Sequence, residues 1–227
     1  MKILLLLHGA IGSKDQLEPL SNELQGSFEV HNLNFSGHGG APFVGEFSIQ
    51  NFAEEVHHYL KENQLKKVSI FGYSMGGYVA LYLAHKFPER VEKIVTLATK
   101  FSWSPEIASR EVNMLNPTII QEKIPAFAKT LQERHAPNSW KLLMEKTSKM
   151  MLALGEKPLL IQEDFQNIDT PVKLAIGNAD KMVTIDETAQ VADGLPNSEL
   201  LILPDVQHPI EKVPVLLLVQ EITAFLK

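Results

Sequence analysis

The sequence predicts an α/β fold, a parallel sheet flanked by helices, and three observations carry that expectation. Short apolar runs bounded by Gly, Pro and Asn recur along the chain, and they are mostly apolar on both faces, as strands covered on both sides read. Amphipathic segments separate these runs, and strand alternating with helix implies parallel pairing through right-handed crossovers. From Phe101 to about Asp169 the alternation stops, leaving helical stretches punctuated by Pro105, Pro117, Pro125, Pro137 and Pro158. A structureless connection of that length does not fit a compact domain. The expected organisation is therefore a core of residues 1–100 and 170–227 with a helical cap, residues 101–169, inserted in it.

The first strand is Lys2–Leu7. Its apolar run is five residues long before His8 interrupts it, short of the ~7–15 of a secretory core. The further strands are Phe28–Leu33, Lys67–Phe71, Val91–Ala98, Pro171–Ile176 and Glu199–Leu203. Ile49, Phe52, Ala53, Val56, Tyr59 and Leu60 recur at helical spacing, and Ser13 with Gln16 and Thr184 with Glu187 read as capping boxes opening further helices. The late apolar run Val215–Val219 is far below the ~18 residues needed to cross a bilayer. A soluble, cytoplasmic protein is expected.

Composition narrows the chemistry. Of 227 residues 44% are apolar, enough for one domain that buries ~70–75% of its unfolded surface. Lys and Arg number 21 against 27 Asp and Glu, a net charge of −6, and no like-charge run reaches the about five residues that would mark an interaction tail. That balance argues against nucleic acid or an anionic membrane as partner. Cysteine is absent, so disulfides, thiolate metal sites and cysteine nucleophiles are excluded.

The strongest chemical signal is Gly72-Tyr73-Ser74-Met75-Gly76, after one strand pattern and before a helical one. A serine hydroxyl raised above a sheet needs a tight, strained turn, and side chains two residues to either side would collide. The second signal is His8-Gly9-Ala10-Ile11-Gly12-Ser13, at the carboxyl end of the first strand. Backbone N–H groups aimed at a developing oxyanion come from such a loop, which makes Ala10 the candidate partner of Met75 in an oxyanion hole. Asp180 and His208 each follow a strand and fall at the same edge of the sheet. A hydroxyl nucleophile needs a base, and the base needs a carboxylate to fix its tautomer. Asp205, Asp186 and the more remote Asp164 are rival acids. Asp205 reads better as a turn former and Asp186 as an acid in a helix's first turn.

The order Ser74, Asp180, His208, the elbow Gly-Tyr-Ser-Met-Gly-Gly, the His-Gly loop and the segment Asn34-Phe35-Ser36-Gly37-His38-Gly39 together resemble the α/β-hydrolase superfamily over nearly the whole chain. The resemblance implies a parallel core, a Ser, Asp and His triad, and a helical cap over the acyl pocket. Family members usually carry two strands before the one bearing the His-Gly loop, whereas here that strand begins at Lys2. An N-terminally shortened, six-stranded sheet in the order 2-1-3-4-5-6 is expected, with its switch point between strands 1 and 3. Dehalogenases and epoxide hydrolases of the superfamily place Asp where Ser74 stands. Menaquinone-pathway lyases typically carry Arg after the paired glycines, where this chain has Tyr78.

The expected activity is that of a cofactor-free serine hydrolase cleaving carboxylic esters through an acyl-enzyme on Ser74. A C–C lyase or perhydrolase using the same triad, or a low-turnover ligand receptor, are the alternatives. The expected partner is a small-molecule ester with an apolar acyl or alcohol group, and the chain is a monomer or a homodimer. Tyr73, Phe101, Trp103 and Trp140 are candidate pocket residues, and the insertion's Phe101, Trp103, Phe127, Trp140, Met150 and Met151 read equally as an apolar pocket lining or as the cap's own small core. His57-His58 lacks a spaced third ligand, so no metal is expected. Gly37-His38-Gly39-Gly40 opens no helix, so no phosphate loop is expected there.

Overall fold

The computed structural model describes residues 1–227. Six strands, β1 (Lys2–Leu7), β2 (Phe28–Asn32), β3 (Val68–Tyr73), β4 (Val91–Leu97), β5 (Val172–Gly177) and β6 (Ser198–Leu203), form one sheet in the order β2-β1-β3-β4-β5-β6. Every neighbouring pair is parallel. The sheet order, strand positions and α/β class are those the sequence predicts.

Period-2 alternation splits the core into two layers. Leu5, Leu7 and Ile70 face α2 (Ile49–Glu62) and α3 (Met75–Lys86) within one buried cluster. Leu4, Leu6 and Phe71 face α1 (Glu18–Leu24) and α10 (Val215–Leu226) within the other. Because both faces are covered, β3 and β5 are buried throughout, Ser69 and Lys173 included, which is why their other residues are mostly apolar on both faces.

Five helices lie between β4 and β5: α4 (Pro105–Asn113), α5 (Pro117–Lys123), α6 (Pro125–His135), α7 (Trp140–Glu156) and α8 (Gln162–Phe165). Pro105, Pro117 and Pro125 each open a helix, the position where a missing N–H costs nothing and the fixed φ suits the first turn. After β5, Thr184 and Glu187 close a reciprocal capping box at the start of α9 (Ile185–Gly194). The Ser13 box is only half made. Gln16 Oε1 accepts the Ser13 N–H at 3.1 Å, but the Ser13 hydroxyl is buried without a partner, and the turn it opens is a short 3-10 turn over Lys14–Leu17 rather than an α-helix. No helix is long and apolar enough to cross a membrane.

Candidate active site

Ser74 occupies the single residue between β3 and α3, at φ 51° and ψ −117°. A non-glycine residue there stores ~1–3 kcal/mol and persists only where its surroundings over-determine it. Here the Ser74 N–H donates to Leu97 O at 2.8 Å. Its carbonyl accepts from Thr99 Oγ1 and from the Gly77 N–H, both at 3.0 Å. The glycines permit the turn: a Cβ on Gly76 would meet the Leu7 and His8 carbonyl oxygens, and one on Gly72 would lie 2.5 Å from Gly77 Cα. Met75 is the first residue of α3, so its N–H has no acceptor one turn back and is free for a ligand.

The loop after β1 runs alongside this elbow. A Cβ on Gly9 would lie 3.2 Å from Ser74 Cβ. His8 is fully buried beneath the loop. Its Nε2 accepts the Phe35 N–H at 3.2 Å, so the ring proton sits on Nδ1, which donates to Gly9 O at 2.8 Å. Burial holds His8 neutral by lowering its pKa to about 4. The Ala10 N–H has no partner within the protein.

Asp180 and His208 come together from the loops after β5 and β6. His208 Nδ1 donates to Asp180 Oδ2 at 2.8 Å. Asp180 Oδ1 accepts the N–H groups of Met182 (2.7 Å) and Val183 (3.0 Å). Burial pushes the Asp180 pKa up, but the bond from His208 and these two N–H groups outweigh it and hold the carboxyl below its ordinary value. The carboxylate is therefore ionised and aimed at the imidazole. The rival acids lie elsewhere. Asp205 sits in a left-handed turn (φ 57°) with its N–H on Asn178 Oδ1, Asp186 is exposed in the first turn of α9, and Asp164 caps α8 and faces His85 at 3.7 Å.

Ser74, His208, Ala10 and Met75 line one cavity, whose other walls include Ile49, Tyr78, Trp103, Met150, Met151 and Leu154. Of the four aromatic pocket candidates, Trp103 is on this wall and three are not. Tyr73 shares the Phe71 face of β3 and is buried behind the site, where its hydroxyl donates to His208 O at 3.0 Å. Phe101 packs between Tyr78 and Phe165. Trp140 fills the small core of α5, α6 and α7 with Ile120, Leu131 and Met144. Lys100 and Glu111 also line the cavity, and neither was expected from the sequence. Lys100 lies three residues past the carboxyl end of β4, the edge at which ligands of such sheets bind, and that was the available signal. His57 stacks on Phe87 with ring centres 3.9 Å apart, and His58 pairs with Glu62 one turn on.

The alpha/beta hydrolase fold family model matches residues 2–143. An abhydrolase domain-containing protein of Schizosaccharomyces pombe is 32% identical over 95 residues, 41% of this chain but only 35% of that protein's length. Pimeloyl-[acyl-carrier protein] methyl ester esterase of Aliivibrio fischeri is 26% identical over 224 residues, covering 90% of this chain and 86% of its own. Among solved structures, the enol-lactonase from Burkholderia xenovorans superposes with a TM-score of 0.81 at 16% identity, covering 99% of this chain and 91% of the other.

Proposed function

The chain belongs to the alpha/beta hydrolase fold family, and from that premise we propose that it cleaves carboxylic esters through an acyl-enzyme on Ser74. The observation that carries this reading is the 2.8 Å bond between His208 Nδ1 and a buried, N–H-capped Asp180, with His208 and the strained Ser74 opening into the same cavity.

In the proposed cycle His208 Nε2 takes the Ser74 proton as Oγ attacks the carbonyl carbon. Asp180 keeps the ring in the tautomer that can accept it and stabilises the imidazolium that forms. The N–H groups of Ala10 and Met75 hold the negative oxygen. His208 then returns the proton to the leaving alcohol, and a water activated by the same ring releases the acid. Residues 101–169 act as the cap over this cavity, presenting Trp103 from the segment before α4 and Met150, Met151 and Leu154 from α7 to the apolar part of the ester. The esterase in the Aliivibrio fischeri relative's name supports the reaction class; the acyl and alcohol groups are set by this chain's own cavity.

Labelling with a fluorophosphonate, followed by p-nitrophenyl esters of increasing acyl length, tests the proposal. The wild type should be labelled on Ser74 and turn over at least one ester. Ser74→Ala and His208→Ala should each abolish nearly all of both, and the double variant should match either single one. Turnover by Ser74→Ala within about tenfold of wild type would refute covalent catalysis at this residue.

A further inference from the structure

Arg134 and His135 end α6, and both side chains converge on one carbonyl of the loop after β1. His135 Nε2 lies 3.0 Å and Arg134 Nη1 3.2 Å from Ile11 O. Ile11 sits in the left-handed region at φ 52°, a conformation that a β-branched residue holds only under outside constraint. The other ring nitrogen of His135, Nδ1, accepts the Gly39 N–H at 3.1 Å. A nitrogen that accepts carries no proton, so the proton is on Nε2 and the ring donates to Ile11. His135 is fully buried, and burial lowers its pKa to about 4, which keeps that tautomer in place at neutral pH. Arg134 also reaches Glu211 at 3.5 Å, the His38 ring lies 5.9 Å from that of His135, and Tyr73, Asp15 and His8 are further ionisable groups around this pair.

The consequence runs through two peptide planes. In a trans peptide the C=O and the following N–H point in opposite directions. Holding Ile11 O therefore aims the Gly12 N–H the other way, and that N–H donates to Gly9 O at 3.2 Å. Gly9 O is held a second time by His8 Nδ1, and this fixes the direction of the Ala10 N–H in the same peptide. We infer that Arg134 and His135 are positioning residues that set the aim of the Ala10 N–H from the helical segment, through Ile11 O and the Gly12 to Gly9 bond. The inference rests on the proposed ester cleavage, in which that N–H stabilises the oxyanion. It makes the geometry of the oxyanion hole depend on α6 being docked on the core.

The test compares His135→Gln, whose amide nitrogen can reach the Nε2 position and donate to Ile11 O, with His135→Asn, whose amide reaches only the Nδ1 position. Steady-state kinetics on the best p-nitrophenyl ester are paired with inhibition by a trifluoromethyl ketone, which forms a tetrahedral oxyanion on serine. Removing an oxyanion donor costs ~10²–10³ in kcat, and a donor mis-aimed but present should cost less, about tenfold. His135→Asn should lose about tenfold in kcat and about tenfold in ketone affinity with KM within about twofold of wild type, and His135→Gln should recover most of both. A role in folding alone would lower the active fraction, and with it the apparent kcat, but would leave the ketone's affinity for the active fraction unchanged. Arg134→Met removes one of the two donors without touching Gly39, and should weaken ketone binding about threefold; it decides the matter if His135→Asn does not fold. An active wild type whose Asn and Met variants keep kcat and ketone affinity within about twofold, or whose Gln variant falls as far as Asn, overturns the positioning role. A wild type with neither turnover nor Ser74 labelling overturns the ester reading, and this inference with it.

Discussion

Lowering the pH from about 7.5 to about 5 should cost the folded state about 4 kcal/mol through two buried histidines. His8 and His135 are both fully buried, and burial lowers each pKa to about 4, against about 6.5 in an unfolded chain. Between those values the unfolded chain binds a proton at each position that the folded chain refuses. The unfolded state holds more protons there, so stability falls as the pH falls, starting near 6.5 and complete near 4. For one such histidine the linkage comes to almost nothing at pH 7.5 and to about 2 kcal/mol at pH 5. His38 is lowered by burial and by His8 beside it, and adds in the same direction. Glu55 opposes them: burial raises its carboxyl, so its contribution becomes more favourable as it protonates. Asp180 has a depressed folded pKa, and its contribution is lost only as the pH drops below the unfolded value of about 3.9. Urea unfolding across this range measures the whole, and His135→Gln isolates one part, since its loss over the same interval should be about 2 kcal/mol smaller. A wild-type loss below about 1 kcal/mol, or a variant that follows the wild type within about 0.5 kcal/mol, would refute the claim that these rings are buried uncharged.

Two further outcomes test the site's frame. Asp180→Asn should fold with Tm close to wild type and lose ~10³–10⁴ in kcat, because an amide NH2 donating to His208 Nδ1 leaves the ring proton on Nε2, the wrong tautomer for a base; Asp205→Asn and Asp186→Asn should stay within about threefold. If Asp205→Asn were the damaging change, the acid would be misassigned. Gly76→Ala places a Cβ against the Leu7 and His8 carbonyl oxygens, so the β1 to α3 contact must open at a cost of ~1–3 kcal/mol. Thermal unfolding should then drop by at least about 3 °C, and an unchanged Tm would contradict the close approach.

The sheet was legible because strands buried on both faces are mostly apolar: β1, β3 and β5 are apolar apart from Lys2, Ser69 and Lys173, with Gly or Pro at or near an end. The elbow was legible because a serine at positive φ needs glycines around it, and their absence of side chains shows in the sequence. The cavity wall was not. Glu111 reads as a solvent charge on an amphipathic helix, yet it is buried, because α4 packs against α7 and the carboxylate lies 3.8 Å from Lys100 Nζ. Aromatic character predicted Tyr73, Phe101 and Trp140 as pocket residues, but it reports size and not direction. For Tyr73 the direction was available: it is two residues beyond Phe71 on the same strand, and so shares the face turned to α1 and α10.

Histidine shows the same limit more sharply, since residue type alone does not separate a base from a strut. The partner of each ring does. His208 donates from Nδ1 to an ionised carboxylate, a partner that fixes the tautomer and leaves Nε2 unprotonated and without a partner in the protein. His8 and His135 each donate to a carbonyl from one nitrogen and accept a main-chain N–H at the other. Protonation would set two donors against each other at that second nitrogen, so these rings are useful only while neutral. The N–H donors come from Phe35 and Gly39, distant in sequence from both rings, and no local pattern around His8 or His135 announces them. A scaffold histidine of this kind is therefore legible only once the loops that satisfy it are folded against it: His8 and His135 take their acceptors from the loop after β1 and their donors from residues 34–40.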